Sequence, residues 1–227
     1  GLIIKVNLMA NISKWFGYPI YITKIKNSEK LNKKIIPIIE KNITPTNSQY
    51  SRTTDVKPKE LQSIDDNLHL DKRFDNLYKE IEQGIKGAVL LQNYNTDLFE
   101  FYITKSWATY SIKDQFISYH RHMSSHYSFV YYVQAKDQGN LFLLDDEAHK
   151  VGLNIPRRDP YFSKWDETNF AKAEYPAESG NLVVFPSMIF HETGKNPIDT
   201  PRISISGDIM ITMKEGIKSE HNIPSPS

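Results

Sequence analysis

Three histidines crowd into one short stretch, Tyr119-His120-Arg121-His122-Met123-Ser124-Ser125-His126, in a chain that has seven. A neutral imidazole offers a nitrogen lone pair that suits iron, zinc, copper or nickel. On a β-strand, residues two apart share a face, so His120 and His122 would stand side by side. Alone, such a pair fits a solvated strand face at least as well. His191 adds to it. It closes the run Gly180-Asn181-Leu182-Val183-Val184-Phe185-Pro186-Ser187-Met188-Ile189-Phe190-His191, almost wholly apolar with one histidine at its end. A histidine there is either a hydrogen-bonded core residue or a ligand. The next segment, Pro201-Arg202-Ile203-Ser204-Ile205-Ser206-Gly207-Asp208-Ile209-Met210-Ile211, alternates strictly. Its odd positions are apolar apart from Gly207, and its even positions include Arg202, Ser204, Ser206 and Asp208. That pattern is a strand. Its polar face meets solvent or lines a polar pocket, where Arg202 would offer a planar fork to a carboxylate.

The absence of cysteine narrows the chemistry. Disulfides, thiolate metal sites and a cysteine nucleophile are excluded, so any metal must be bound by His, Asp or Glu. The net charge of +1 gives no bulk attraction to nucleic acid or to an anionic membrane. At 227 residues, 39% hydrophobic, the chain can build one sizeable core. No apolar run approaches a membrane span. The opening Gly-Leu-Ile-Ile-Lys-Val-Asn-Leu-Met is broken by Lys5 and Asn7 and lacks a secretory cleavage site, so the cytoplasm is the expected compartment.

The elements that must position these residues follow from periodicity. Residues 18–24 are aromatic and β-branched, a strand. Residues 27–41 place Leu31, Ile35, Ile36 and Ile39 at helical spacing, with Asn27 or Ser28 as N-cap. Residues 44–68 are polar and carry Pro45 and Pro58, which reads as loops. Residues 71–92 hold Phe74, Leu77, Ile81, Ile85 and Val89, a second amphipathic helix. After about residue 98 the chain turns to short strands: 100–110, 115–123, 127–135, 140–145, 181–186, 188–192 and 202–213. That spacing suggests a sandwich or barrel. The expected organisation is one α+β, mainly β domain. A helical support covers about 1–97, a β core about 98–213 and a frayed tail 214–227. The long segment 146–179, with Arg157, Arg158, Tyr161, Phe162 and Trp165, reads as a lid or as a surface loop.

The ordered set resembles the Fe(II)/2-oxoglutarate-dependent oxygenases, and within them a bacterial and phage branch with an H-x-H motif. The matching pieces are His120-Arg121-His122, Ser128-Phe129-Val130-Tyr131-Tyr132-Val133, Gly139-Asn140-Leu141-Phe142, Gly180 through His191, and Arg202-Ile203-Ser204-Ile205-Ser206. Phe129 stands where the branch usually has Gly. Tyr18-Pro19-Ile20-Tyr21 and the region of Trp107 also look like the branch. The resemblance implies a double-stranded β-helix, of jelly-roll or cupin-like form, with helices packed on its larger sheet. It implies a dioxygenase that uses Fe(II), O₂ and 2-oxoglutarate as cosubstrate, hydroxylates a substrate and releases succinate and CO₂. It assigns His120, His122 and His191 to the metal. It assigns Arg202, about ten positions after the distal histidine, to the far carboxylate of 2-oxoglutarate, helped by Ser204 and Tyr132.

The wider superfamily binds iron through two histidines and one carboxylate. Here His122 occupies the carboxylate position, so the third ligand is His122, a carboxylate such as Asp145 or Asp146, or water. Two rival readings share these residues: a cupin-like metal- or small-ligand-binding module without oxygenase activity, and a zinc hydrolase, for which no H-E-x-x-H motif is present. The expected partner is a small-molecule, peptide or nucleotide substrate. No membrane is expected, and a homo-oligomer is compatible with the sequence.

Overall fold

A computed structural model describes residues 17–46, 51–52, 61–64, 67–136, 138–145, 163–164 and 170–217. In chain order the elements are β1 (Tyr21–Lys24), α1 (Ser28–Asn42), β2 (Thr44–Thr46), β3 (Ser51–Arg52), β4 (Leu61–Ile64), two single 3₁₀ turns (Leu68–Leu70 and Lys72–Phe74) and α2 (Asp75–Leu91). Then follow β5 (Phe99–Ser111), β6 (Phe116–Ile117), β7 (Tyr127–Gln134), β8 (Leu141–Leu144), β9 (Lys172–Tyr175), β10 (Asn181–Pro186), β11 (Phe190–Thr193) and β12 (Arg202–Met213).

The larger sheet runs β1-β10-β7-β12-β5-β4-β2 and the smaller one β11-β8-β9, all neighbours antiparallel. This is the expected double-stranded β-helix. Strand period two sorts the central strands into two faces. Odd residues of β7 and β12 (Phe129, Tyr131, Val133, Ile203, Ile205, Ile209) meet the helices, joined by Leu182 and Val184 of β10. The helices answer with Ile35 and Ile39 of α1 and Leu77, Ile81 and Ile85 of α2, all buried. The opposite face of β7 and β10 contributes Val130, Tyr132, Val183 and Phe185, which pack on Leu141 and Leu143 of the smaller sheet. Both faces of the central strands are therefore buried, which fixes their register: a slip by one residue would carry the polar residues of β12 into the helix-side core.

Phe129 has its room from the strand beside it. Its register partner is Gly207, and a Cβ built on Gly207 would lie 2.5 Å from the Phe129 ring. The one gap in the apolar alternation of β12 is thus the space that a phenylalanine at 129 needs.

Several expectations change. Residues 44–68 contain strands: β4 pairs with β5, and β2 pairs with β4. The strand at 18–24 begins only at Tyr21. Asn27 is the N-cap residue of α1 but is left-handed (φ 54°) and makes no side-chain cap bond. The proposed strand 115–123 ends at Ile117, so the H-x-H motif lies beyond it. Within 146–179, residues 172–175 form β9, so this is not one uninterrupted loop. Arg157, Arg158, Tyr161, Phe162 and Trp165 lie outside the described residues, as do Asp146 and most of the tail.

Candidate metal centre

Backbone hydrogen bonds, not a continuous strand, place the three histidines. His120 and His191 exchange N–H···O bonds of 3.0 and 2.8 Å as an isolated antiparallel bridge, and the His122 N–H donates to the Ser187 carbonyl at 3.0 Å. The H-x-H segment is thereby tied to His191 of β11 and to Ser187 in the turn that precedes that strand. Its odd side chains reach Phe190: Tyr119 stacks on that ring at 4.2 Å, and Arg121, at the cavity rim, lies 4.5 Å over it. Its even side chains turn inward toward His191. One ligand nitrogen from each of His120, His122 and His191 lies within 4.8 Å of the others, a spread that small ring rotations bring to a single ion. No carboxylate joins this cluster among the described residues. Asp145 is not part of it.

Each ring is fixed through Nδ1. His120 Nδ1 is 2.8 Å from the Ser118 carbonyl, His191 Nδ1 is 3.0 Å from the Ile189 carbonyl, and His122 Nδ1 is 2.5 Å from Asp208 Oδ1. A carbonyl or carboxylate oxygen only accepts, so each Nδ1 is the donor, and in a neutral ring of that tautomer Nε2 is the atom offered to a metal. Burial lowers the His120 pKa and pushes that of His191 down to about 3. Both rings stay neutral near pH 7, the form that binds metal.

The same cavity, about 670 Å³, is lined by all six residues expected at the site: His120, His122, His191, Tyr132, Arg202 and Ser204. The even face of β12 supplies Arg202, Ser204, Ser206 and Asp208 to its wall. Arg202 is only 1% exposed. Its Nη1 donates to the carbonyls of Gln138, Gly139 and Gly194 at 3.1, 2.6 and 3.2 Å, and its Nη2 to the hydroxyls of Ser111 and Thr193 at 3.3 and 3.0 Å. Gly139 is required here: its φ is +71°, and a Cβ would lie 2.3 Å from Nη1. The expectation of a fork free to grip a carboxylate is modified, because both terminal nitrogens already have neutral acceptors. Among the described residues no carboxylate pairs with the guanidinium, and burial lowers its pKa with only Tyr132 acting against that.

Tyr132, 1% exposed, completes the picture. Its buried hydroxyl has no hydrogen-bond partner among the described residues. Burial pushes its pKa up to about 12, so it stays a donor. A buried uncompensated cation and a buried unpartnered hydroxyl in one cavity each cost stability. An anionic ligand relieves both, so the residues present fit a metal ion together with a dicarboxylate. Sequence reasoning set Asp208 on the polar face of β12 but missed its contact with His122. It also missed Ser128, whose hydroxyl donates to Asp208 at 3.0 Å. The only signal was the polar alternation itself.

Residues 105–208 match the family described as "Putative 2OG-Fe(II) oxygenase". No protein of curated function matches the chain. Among solved structures the chain is similar to a prolyl-4-hydroxylase of Pseudomonas putida, with 13% identity, 85% of this chain and 92% of that one covered, and a TM-score of 0.54. It is also similar to an oxidoreductase of the 2OG-Fe(II) oxygenase family from Burkholderia pseudomallei, at 11% identity, 85% of each chain and a TM-score of 0.56. A third is HygX of Streptomyces hygroscopicus with nickel, 2-oxoglutarate and hygromycin B bound, at 9% identity, 85% and 83% coverage and a TM-score of 0.52.

Proposed function

We propose that this chain, a 2OG-Fe(II) oxygenase by its match over residues 105–208, holds Fe(II) through His120, His122 and His191 and hydroxylates an organic substrate. The observation that carries the reading is the shared cavity. Three imidazoles converge, one ligand nitrogen of each within 4.8 Å of the others. In the same cavity lie a fully buried arginine that pairs with no carboxylate, and a phenol that has no hydrogen-bond partner, among the described residues. The pairing of metal and 2-oxoglutarate in HygX, which has a similar fold, supports the same pairing here.

Iron and 2-oxoglutarate together supply the oxidation: O₂ is consumed, succinate and CO₂ leave, and one oxygen atom enters a substrate C–H bond. The chain's own residues do the positioning. Arg202, immobilised by carbonyls and hydroxyls, supplies fixed positive charge to the far carboxylate of 2-oxoglutarate. Tyr132 and Ser204 supply hydroxyl donors to the same group, which turns the cosubstrate's keto-acid end toward the histidines. The walls Val130, Leu141 and Phe185 exclude water from the reacting centre.

The substrate, a small molecule or part of a peptide or nucleotide, enters past Lys105, Trp107, Arg121 and Met123, which also line the cavity. We read the chain as a single oxygenase domain. Its expected setting is the cytoplasm, where reduced iron and 2-oxoglutarate are at hand. No helix among the described residues is long and apolar enough to cross a membrane.

The test is an anaerobic titration of 2-oxoglutarate into metal-free and Fe(II)-loaded protein, followed by admission of O₂ with candidate peptides, amino acids and nucleobases. Metal-dependent 2-oxoglutarate binding and succinate release are expected. Metal binding without any affinity for 2-oxoglutarate would favour the cupin-like binding module instead, and activity retained with zinc in place of iron would favour a hydrolase.

A further inference from the structure

The three histidines are not equivalent. His120 and His191 place Nδ1 against backbone carbonyls, which are neutral, whereas His122 places Nδ1 against the carboxylate of Asp208 at 2.5 Å. Asp208 is itself held. Ser128 Oγ donates to the same Oδ1 at 3.0 Å, and Ser128 is tied at 2.9 Å to Ser187, which takes a further hydroxyl from Ser125 at 2.7 Å. The placement follows from register. Asp208 lies opposite Ser128 on β7, and the even face of β12 turns it into the cavity wall. The His122 backbone is anchored independently by Ser187 O, so ring and carboxylate are brought together from two sides.

Resting on the functional reading above, we propose that Asp208 is a positioning residue for the iron. Through His122 it supplies the negative charge that a carboxylate ligand supplies in a two-histidine, one-carboxylate centre. Three neutral imidazoles would leave the full charge of a divalent ion uncompensated by the protein. A carboxylate hydrogen-bonded to a ligating imidazole raises that ring's basicity and brings one negative charge to the centre without occupying a coordination position. It also fixes the tautomer, since an ionised carboxylate accepts only. His122 thereby becomes the strongest donor of the three, at the position where the wider superfamily carries the acid.

Asp208→Asn separates charge from shape, because its amide oxygen still accepts from Nδ1 while the charge is gone. Metal-free protein is titrated anaerobically with Fe(II) and with Co(II) against a competing chelator. The Co(II) ligand-field spectrum and the Fe(III)/Fe(II) potential are recorded, with thermal unfolding of the metal-free protein as a fold control. The expected result is an affinity for both ions weakened about 10- to 100-fold. A shifted Co(II) spectrum and a raised iron potential, which a merely structural role would not produce, are expected with it. Wild-type affinity with an unchanged spectrum and potential in a folded Asp208→Asn overturns the proposal.

Should that variant not fold, Ser128→Ala serves. It frees the carboxylate from its hydroxyl partner and keeps the charge, so a roughly two- to tenfold loss of Fe(II) affinity is expected. Unchanged affinity there overturns the proposal. Wild-type protein that binds neither Fe(II) nor 2-oxoglutarate sinks the functional reading, whereas wild-type protein that binds both beside an unaffected Asp208→Asn sinks only this inference.

Discussion

Tyr132→Phe is expected to stabilise the ligand-free protein and weaken 2-oxoglutarate binding. The wild-type hydroxyl is enclosed and has no partner among the described residues, while the ring around it is well packed against Val183 and Phe185. Enclosing an unpartnered hydroxyl costs about 1–3 kcal/mol. Phenylalanine removes that cost and leaves a small void in exchange. The net gain is about 1 kcal/mol, which for a chain of this size raises Tm by about 2–4 °C. With 2-oxoglutarate the sign reverses. A hydrogen bond to a desolvated carboxylate contributes about 1.5–3 kcal/mol, so its loss weakens binding roughly 10- to 150-fold. At a ligand concentration that saturates the wild type, its thermal gain exceeds the variant's, and the order of the two Tm values inverts. Scanning calorimetry of metal-free and metal-plus-2-oxoglutarate samples reads both halves, and calorimetric titration reads the affinity directly. A variant less stable than wild type without ligand and equal to it in affinity would refute the reasoning. It would show that the hydroxyl serves the fold.

Arg202→Lys should lower both stability and 2-oxoglutarate affinity, the latter roughly tenfold or more, because one ammonium cannot reach the carbonyls of Gln138, Gly139 and Gly194 and an anion together; equal affinities in titration would remove it from the site. Metal-free protein should lose stability as pH falls. Burial lowers the His120 pKa and takes that of His191 to about 3, so below about 6.5 the unfolded chain binds more protons than the folded one. Urea midpoints should therefore drop progressively between pH 6.5 and 3, and His191→Gln should flatten that slope. Gly207→Ala should destabilise by about 1–3 kcal/mol in urea denaturation, since its Cβ would meet the Phe129 ring at 2.5 Å and the Lys105 carbonyl at 2.7 Å.

The parts of this fold whose own side chains state their environment could be read from the sequence. The strand at 202–213 has the expected bounds because period-two alternation of Arg202, Ser204 and Ser206 with Ile203 and Ile205 admits no other structure. Both helices are visible through their apolar stripes, and Ile39, Leu77, Ile81 and Ile85 are all buried as that spacing implies, although the second begins at Asp75 and Phe74 is buried from the 3₁₀ turn before it. Strands β2 and β4 are hidden in the sequence because pairing, of β4 with β5 and of β2 with β4, and not their own pattern, makes them extended. His120 and His122 share a side as expected, but no strand holds them: their backbone partners are His191 and Ser187, far along the chain. The partners of Arg202 are backbone carbonyls, which no side-chain pattern announces. The Asp208–Ser128 contact exists only once β7 and β12 are in register.

The central claim is that His120, His122 and His191 together hold the iron that 2-oxoglutarate then joins. The most direct measurement is the iron content of wild type and His191→Ala after anaerobic loading, with a 2-oxoglutarate titration of each. One Fe(II) per wild-type chain and metal-dependent 2-oxoglutarate binding are expected, with loss of most of both in His191→Ala, where two neutral ligands form a poor chelate. A folded His191→Ala that keeps one iron per chain and binds 2-oxoglutarate as wild type does would contradict it.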